Sequence, residues 1–179
     1  MSTRFPLEEL VSLPNFYLVT PSWQRDRVAF YWDKSDRIEL YVMDLPDGTP
    51  RQISHGEVPR SLRTGFAWSR DGRTIVFGRD RDGDEMHDLF RIDIESGEVT
   101  RLTDDEDTQY HILEFSPDDR WMAVLAATRS GRQLNLFLMR PDGSEVRRLT
   151  NFARPFGRRF SSTGGWGSPM KCIGGSSIS

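Results

Sequence analysis

The chain has 179 residues, enough for one sizeable domain, and with 36% hydrophobic and 11% aromatic residues it can fill a core. The net charge is −3 with both signs interleaved, which leaves no nucleic-acid footprint, and the single cysteine, Cys172, excludes an internal disulfide and fits a reducing compartment. The N-terminus has no apolar run of signal-peptide length and no stretch is long enough to span a bilayer, so a cytoplasmic location without membrane contact is expected.

Residues 1–15 differ from the rest of the chain. Pro6 stands at a plausible first helical position, Glu8 and Glu9 fall in the first turn, and Leu7, Leu10 and Val11 share one face, which predicts a short helix ended before Pro14. Such a helix is either a cap on the element after it or a docking element for another domain. From residue 16 onward the chain repeats. Trp68-Ser69-Arg70-Asp71-Gly72 returns as Phe115-Ser116-Pro117-Asp118-Asp119, 47 residues on, and Glu98 to Thr103 returns at the same offset as Glu145 to Thr150. An earlier copy holds Pro21-Ser22, Val28-Ala29-Phe30, Leu40 to Met43 and Arg51 to Ser54. It is two residues shorter than the middle copy between the second and third strands.

In the middle copy the strands are expected near 62–68, 73–79, 87–93 and 98–102, with turns at Asp71-Gly72, Asp82-Gly83 and Ser96-Gly97. In the third copy, Pro117 presets the turn, Asp118 can bond its own backbone and Asp119 tolerates a left-handed conformation. The second strands, Val28 to Trp32, Ile75 to Phe77 and Trp121 to Ala126, are apolar at consecutive positions, which calls for a sheet packed on each side. The fourth strands mix Arg, Glu and Thr with aliphatics, as a charged outer edge does. The fold class is all-β: a partial β-propeller of about three four-stranded antiparallel blades, near 16–54, 62–103 and 110–150, with a fourth begun at 156–166. The propeller region is taken as 16–160, followed by a Gly/Ser-rich tail at 161–179 read as disordered. From Asn151 onward there is no acid, while Arg154, Arg158, Arg159 and Lys171 are basic, and the expected apolar strand after Trp166 is missing. The alternatives are a reading frame broken near residues 157–166 and a natural flexible tail. End blades with an uncovered apolar face are expected to self-associate.

Candidate sites are few. Asp80, Asp82 and Asp84 have the alternate spacing of a calcium loop, but Glu85 stands where glycine is needed and Arg91 where a bidentate glutamate is needed, so the segment reads as a solvated hairpin. Asp104 to Asp107 form an acidic inter-blade loop able to steer charged ligands from one rim. His55, His87 and His111 lack metal-ligand spacing and read as loop or strand-edge residues. Arg60 and Arg63 lie between the first two blades, where loop arginines are common. There is no G-x-S-x-G elbow, and no catalytic, cofactor or metal residue is assigned.

Trp68 to Phe77, Leu89 to Leu102, Phe115 to Leu125 and Leu136 to Thr150 carry a phrase that resembles TolB-type propeller repeats. It equally resembles the N-terminal propeller of prolyl oligopeptidase-family serine peptidases of the acylaminoacyl-peptidase and dipeptidyl-peptidase branches. The peptidase resemblance implies a non-catalytic propeller that admits peptide substrates by size to a C-terminal α/β-hydrolase domain. That domain would hold the catalytic residues, and no part of it is in this sequence. The TolB resemblance implies a stand-alone binding or protein-interaction propeller. A propeller lyase or other metal-dependent enzyme is disfavoured by the three histidines.

Overall fold

The computed structural model describes residues 15–34, 37–59, 65–80, 83–131 and 133–152. The expected N-terminal helix, the start of a fourth copy and the tail lie outside the described residues, as do Arg60, Arg63, Asp82 and Cys172. Among the described residues, twelve strands form three four-stranded antiparallel sheets. Blade 1 holds β1 (Phe16–Pro21), β2 (Arg27–Trp32), β3 (Glu39–Asp44) and β4 (Arg51–Gln52). Blade 2 holds β5 (Phe66–Trp68), β6 (Thr74–Asp80), β7 (His87–Asp93) and β8 (Val99–Arg101). Blade 3 holds β9 (Thr108–Phe115), β10 (Met122–Thr128), β11 (Asn135–Met139) and β12 (Val146–Arg148). Strand order follows chain order in each sheet, as in propeller blades. The register locates the length difference between copies: Tyr31 pairs with Leu40, Gly78 with Leu89 and Leu125 with Leu136, so the two extra residues sit in the second hairpin.

The first turn of each blade is built alike. Ser22, Ser69 and Ser116 each donate their backbone N–H across the turn, to Arg27, Thr74 and Trp121 carbonyls. Arg25, Gly72 and Asp119, at equivalent positions, all have positive φ, of 61°, 70° and 54°. Asp118 Oδ1 accepts from Ser116 Oγ at 2.7 Å and from Arg120 N at 3.2 Å, as the Asp-turn reading requires. The third and fourth strands are pinned by a second repeated device. Ser54, Thr103 and Thr150 hydroxyls accept from the Leu40, Leu89 and Leu136 N–H groups at 2.7, 2.9 and 2.8 Å. Each hydroxyl then donates to Glu39, Asp88 or Asn135, a buried residue at the start of the third strand. The repeated Leu-Thr phrase is therefore a way of satisfying a buried acid or amide.

Alternate residues of β6 enter different cores. Ile75 and Phe77 pack with Ala29, Tyr31, Leu40 and Val42 of blade 1, and Val76 packs with Ile112, Met122 and Val124 of blade 3. The fourth strands carry the exposed edge, and Trp121 beside them lies under Arg140 and Arg147, 3.9 and 4.6 Å from its ring. One expectation needs correction. β2 and β6 are buried on both faces, but β10 is not: Met122, Val124 and Ala126 are buried while Ala123, Leu125 and Ala127 are only half-buried. No sheet packs on that second face among the described residues.

Blades are also tied through polar groups. Asp119 accepts the Arg70 N–H at 2.6 Å and the Asp71 N–H at 2.8 Å, and Gln24 Nε2 donates to the Arg70 carbonyl at 2.5 Å. Asp119→Gly keeps the left-handed backbone and removes both acceptors, so it is expected to cost about 1–3 kcal/mol in urea unfolding, and Asp119→Asn less. Within the sheets, Thr103→Val strands the Leu89 N–H and is expected to cost about 1–3 kcal/mol. Tyr31→Phe removes a buried hydroxyl that has no partner and should leave stability unchanged or higher by about 1 kcal/mol, as read by the same unfolding curves.

Candidate functional site

The first strands of the three blades converge on one concave side. Trp68 Nε1 of β5 donates to the Thr20 carbonyl of β1 at 3.1 Å, which locks two of them together. Between them lies a cavity of about 410 Å³ lined by β1 and its turn, by β5 and by β9. Its walls are mainly apolar: Pro21, Trp23, Phe66, Trp68 and Leu113. Arg25 stands exposed at its margin and Glu114 faces it from β9. The positive φ of Arg25 belongs to the turn described above, so the backbone that closes the hairpin also fixes where this cation leaves the chain.

Arg70 holds the far wall. Its guanidinium lies 3.3 Å from the Trp23 ring centroid, donates to the Phe115 carbonyl at 3.1 Å and reaches Glu114 at 3.7 Å. This spans three blades and keeps Trp23 against the cavity although its side chain is half exposed. The cavity's serine is occupied: Ser22 Oγ donates to Asp26 at 2.8 Å and accepts from the Arg27 N–H. What the arrangement offers is apolar contact, a cation and a carboxylate, which together suit an extended peptide segment more than they suit bond cleavage.

At the opposite end of the blade 2–blade 3 seam, the structure brings His87 and His111 together, with ring centroids 5.9 Å apart. His87 is buried, not at an exposed strand edge, and Gln109 Nε2 lies 3.3 Å from its Nδ1. The two histidines are remote in sequence and carry no spacing signal. A separate cavity of about 420 Å³ adjoins them, with Gln109, His111 and Arg129 on its wall. Asp84, of the hairpin considered for calcium, is there also and faces Arg129 at 3.7 Å. His55 stands apart, on an exposed loop where its Nδ1 is 3.3 Å from Gln52 Nε2. Among the described residues, no group of three or more His, Cys, Asp or Glu is placed to hold a metal ion.

Three stacked four-stranded antiparallel blades with a shared concave wall of first strands define a β-propeller region. The chain belongs to the TolB beta propeller domain family, which it matches over residues 8–155. It is 33% identical over 124 residues to the uncharacterised protein Atu1656 of Agrobacterium fabrum, covering 66% of this chain and 39% of that one. It is 30% identical over 98 residues to the uncharacterised peptidase YuxL of Bacillus subtilis, 54% of this chain and 14% of that one. It is 24% identical over 129 residues to dipeptidyl-peptidase 5 of Porphyromonas gingivalis, 70% of this chain and 18% of that one. Among solved structures, TolB from Acinetobacter baumannii shares the fold with a TM-score of 0.61 at 18% identity, over 76% of this chain and 32% of that one. The chain thus spans well under half the length of these relatives. Among the described residues no helix is long and apolar enough to cross a membrane.

Burial lowers the pKa of His87 against an opposing pull from Asp80, Asp84 and Glu85, and burial together with the nearby His87 lowers that of His111. A base whose folded pKa is depressed leaves the unfolded chain holding more protons, so its stabilisation is full above the ordinary value of 6.5 and is lost as pH falls through the folded value. The depressed carboxylates, Asp33, Asp93, Asp118, Asp142 and Glu145, titrate lower, from ordinary values of 3.8 and 4.5. Stability between pH 7.5 and 5.5 is therefore expected to fall with pH, and His87→Asn with His111→Asn should flatten that slope in urea titrations about the ordinary histidine pKa of ~6.5.

Proposed function

We propose that this chain is the non-catalytic, substrate-gating propeller of an oligopeptide-cleaving serine peptidase of the prolyl oligopeptidase family. The observation that carries the reading is the cavity shared by the three first strands, whose apolar walls and opposed Arg25 and Glu114 suit an extended peptide. The likeness to YuxL and to dipeptidyl-peptidase 5, both peptidases by name, supports it. Peptides contact this wall and pass it, folded proteins are refused by size, and cleavage takes place on an α/β-hydrolase domain of the intact protein. The reading carries a cytoplasmic location. The family match and the likeness to TolB support a second reading, a TolB-type binding propeller whose partner is a protein rather than a passing substrate.

Tryptophan fluorescence titration with short oligopeptides tests the first reading. Binding is expected, and Trp23→Ala and Arg25→Ala should each weaken it about tenfold, or about 1.4 kcal/mol. His111→Asn, at the other end of the seam, should leave it unchanged. The chain itself should not turn over acyl-amino-acid or dipeptide esters. Turnover that survives repurification, with covalent labelling of a serine, would overturn the non-catalytic assignment. Absence of peptide binding together with saturable binding of a folded protein would favour the TolB-type reading.

A further inference from the structure

The wall of the concave cavity carries two charged side chains, Arg25 and Glu114, and they are not equivalent. Glu114 is already matched. Arg70 reaches it at 3.7 Å, and that guanidinium is held in place by the Trp23 ring at 3.3 Å and the Phe115 carbonyl at 3.1 Å. Arg25 is not matched: among the described residues its guanidinium makes no ion pair. The acid next to it in the chain, Asp26, accepts instead from Ser22 Oγ at 2.8 Å. The wall's other hydroxyl and the Trp68 indole are also spent inside the fold. Thr20 Oγ1 donates to the Leu18 carbonyl at 3.1 Å, and Trp68 Nε1 donates to the Thr20 carbonyl at 3.1 Å. Arg25 thus keeps its fork of N–H donors free at the margin of an apolar cavity. Counted with Arg70, the site holds one more positive charge than negative.

We infer that this site selects peptides that carry a carboxylate, seated on Arg25 with the rest of the peptide against Trp23, Phe66 and Leu113. The inference rests on the reading of this wall as a peptide-contact surface and adds what the wall selects. A guanidinium binds a carboxylate through two parallel N–H donors. The apolar walls lower the local dielectric, so the pair is stronger here than on open surface. A peptide ammonium finds no free carboxylate, because Glu114 is shared with Arg70 and the surplus positive charge opposes it. The general field of the protein works the other way. The chain carries −3 overall, which repels an acidic peptide at long range, so a preference for acid has to arise at this site. The carboxylate is either the peptide's own C-terminus or an Asp or Glu side chain, and the same guanidinium recognises both.

Fluorescence titration of the full chain with a matched set of tryptophan-free peptides tests this. One apolar sequence is used with both ends capped, with a free C-terminus, capped with a central Glu, and capped with a central Lys. At low salt, the free C-terminal peptide or the Glu peptide should bind about tenfold more tightly than the capped neutral one, and the Lys peptide no more tightly than it. Which of the two acidic peptides gains identifies the source of the carboxylate. At about 1 M salt, where the screening length is about 3 Å, the preference should shrink. In Arg25→Gln it should vanish, and in Arg25→Glu it should turn toward the Lys peptide. If Arg25→Gln disturbs the turn, as read by urea unfolding, Arg25→Gly replaces it, since Gly72 fills the equivalent position of blade 2 with a positive φ as well. The preference should vanish there too. Equal binding of all the peptides, tighter binding of the Lys peptide, or a preference for acid that survives loss of Arg25 overturns the inference and leaves a peptide-binding wall. Binding of none of the peptides overturns that reading itself, and the inference with it.

Discussion

The fold depends on one strand being buried on two sides. In β6, Ile75 and Phe77 belong to the core with blade 1 and Val76 to the core with blade 3, although they are adjacent in sequence. A strand built so has no polar face, and each sheet it belongs to must have neighbours. The first strand then faces the concave side and the fourth faces solvent. β10 shows the rule by its exception: the same apolar run, without a sheet on its second face, returns to alternating burial.

Much of this is legible in the residues. Two phrases recurring 47 apart define the copies, and the doubly apolar second strands announce sheet stacking. Position-specific chemistry within a turn is legible too, since an Asp before a left-handed residue accepts from the backbone N–H two residues on, as Asp118 does ahead of Asp119. What is not legible crosses between blades. Asp119 bonding the backbone of Arg70 and Asp71, Arg70 lying on Trp23, and His87 meeting His111 all depend on how one sheet is rotated against the next. That rotation leaves no period in the sequence. The Leu-Thr phrase lies between these cases: its recurrence is plain, but its purpose, holding Glu39, Asp88 and Asn135 at the start of the third strand, requires the pairing of strands 3 and 4.

The candidate site uses the repeat in a different way from the core. Thr20, Ala67 and Glu114 occupy the same place in successive copies, and all three line the cavity. Trp23 and Arg70 are likewise equivalent positions, one stacked on the other. Core positions stay apolar from copy to copy, as at Val28, Ile75 and Met122 or Phe30, Phe77 and Val124, whereas at the concave wall the same position is threonine, alanine or glutamate. The difference has a physical cause. Glu114 is exposed and Thr20 half-buried, so volume and charge can vary there without loss of packing, while Ala67 is buried in the core between blades 2 and 3. A repeat scaffold thereby produces an asymmetric surface, with the Arg25 cation on one blade and the Glu114 carboxylate on another.

The ends of the stack decide how such a unit exists at all. Interior blades are stabilised by interfaces on both sides, and each missing interface removes apolar contact that the sheet's own hydrogen bonds do not replace. The outward residues Phe30 and Tyr41 of blade 1 are deeply buried, with Phe16 of β1 packed on Phe30, whereas Leu125 of blade 3 is half-buried, so the two outer faces of the described blades differ. The polar ties act in the same direction from first turn to first turn: Asp119 of blade 3 holds blade 2, and Gln24 of blade 1 reaches to it from the other side, so blade 2 is fixed from both neighbours. Among the described residues, blade 1 and blade 3 each share such a tie with blade 2.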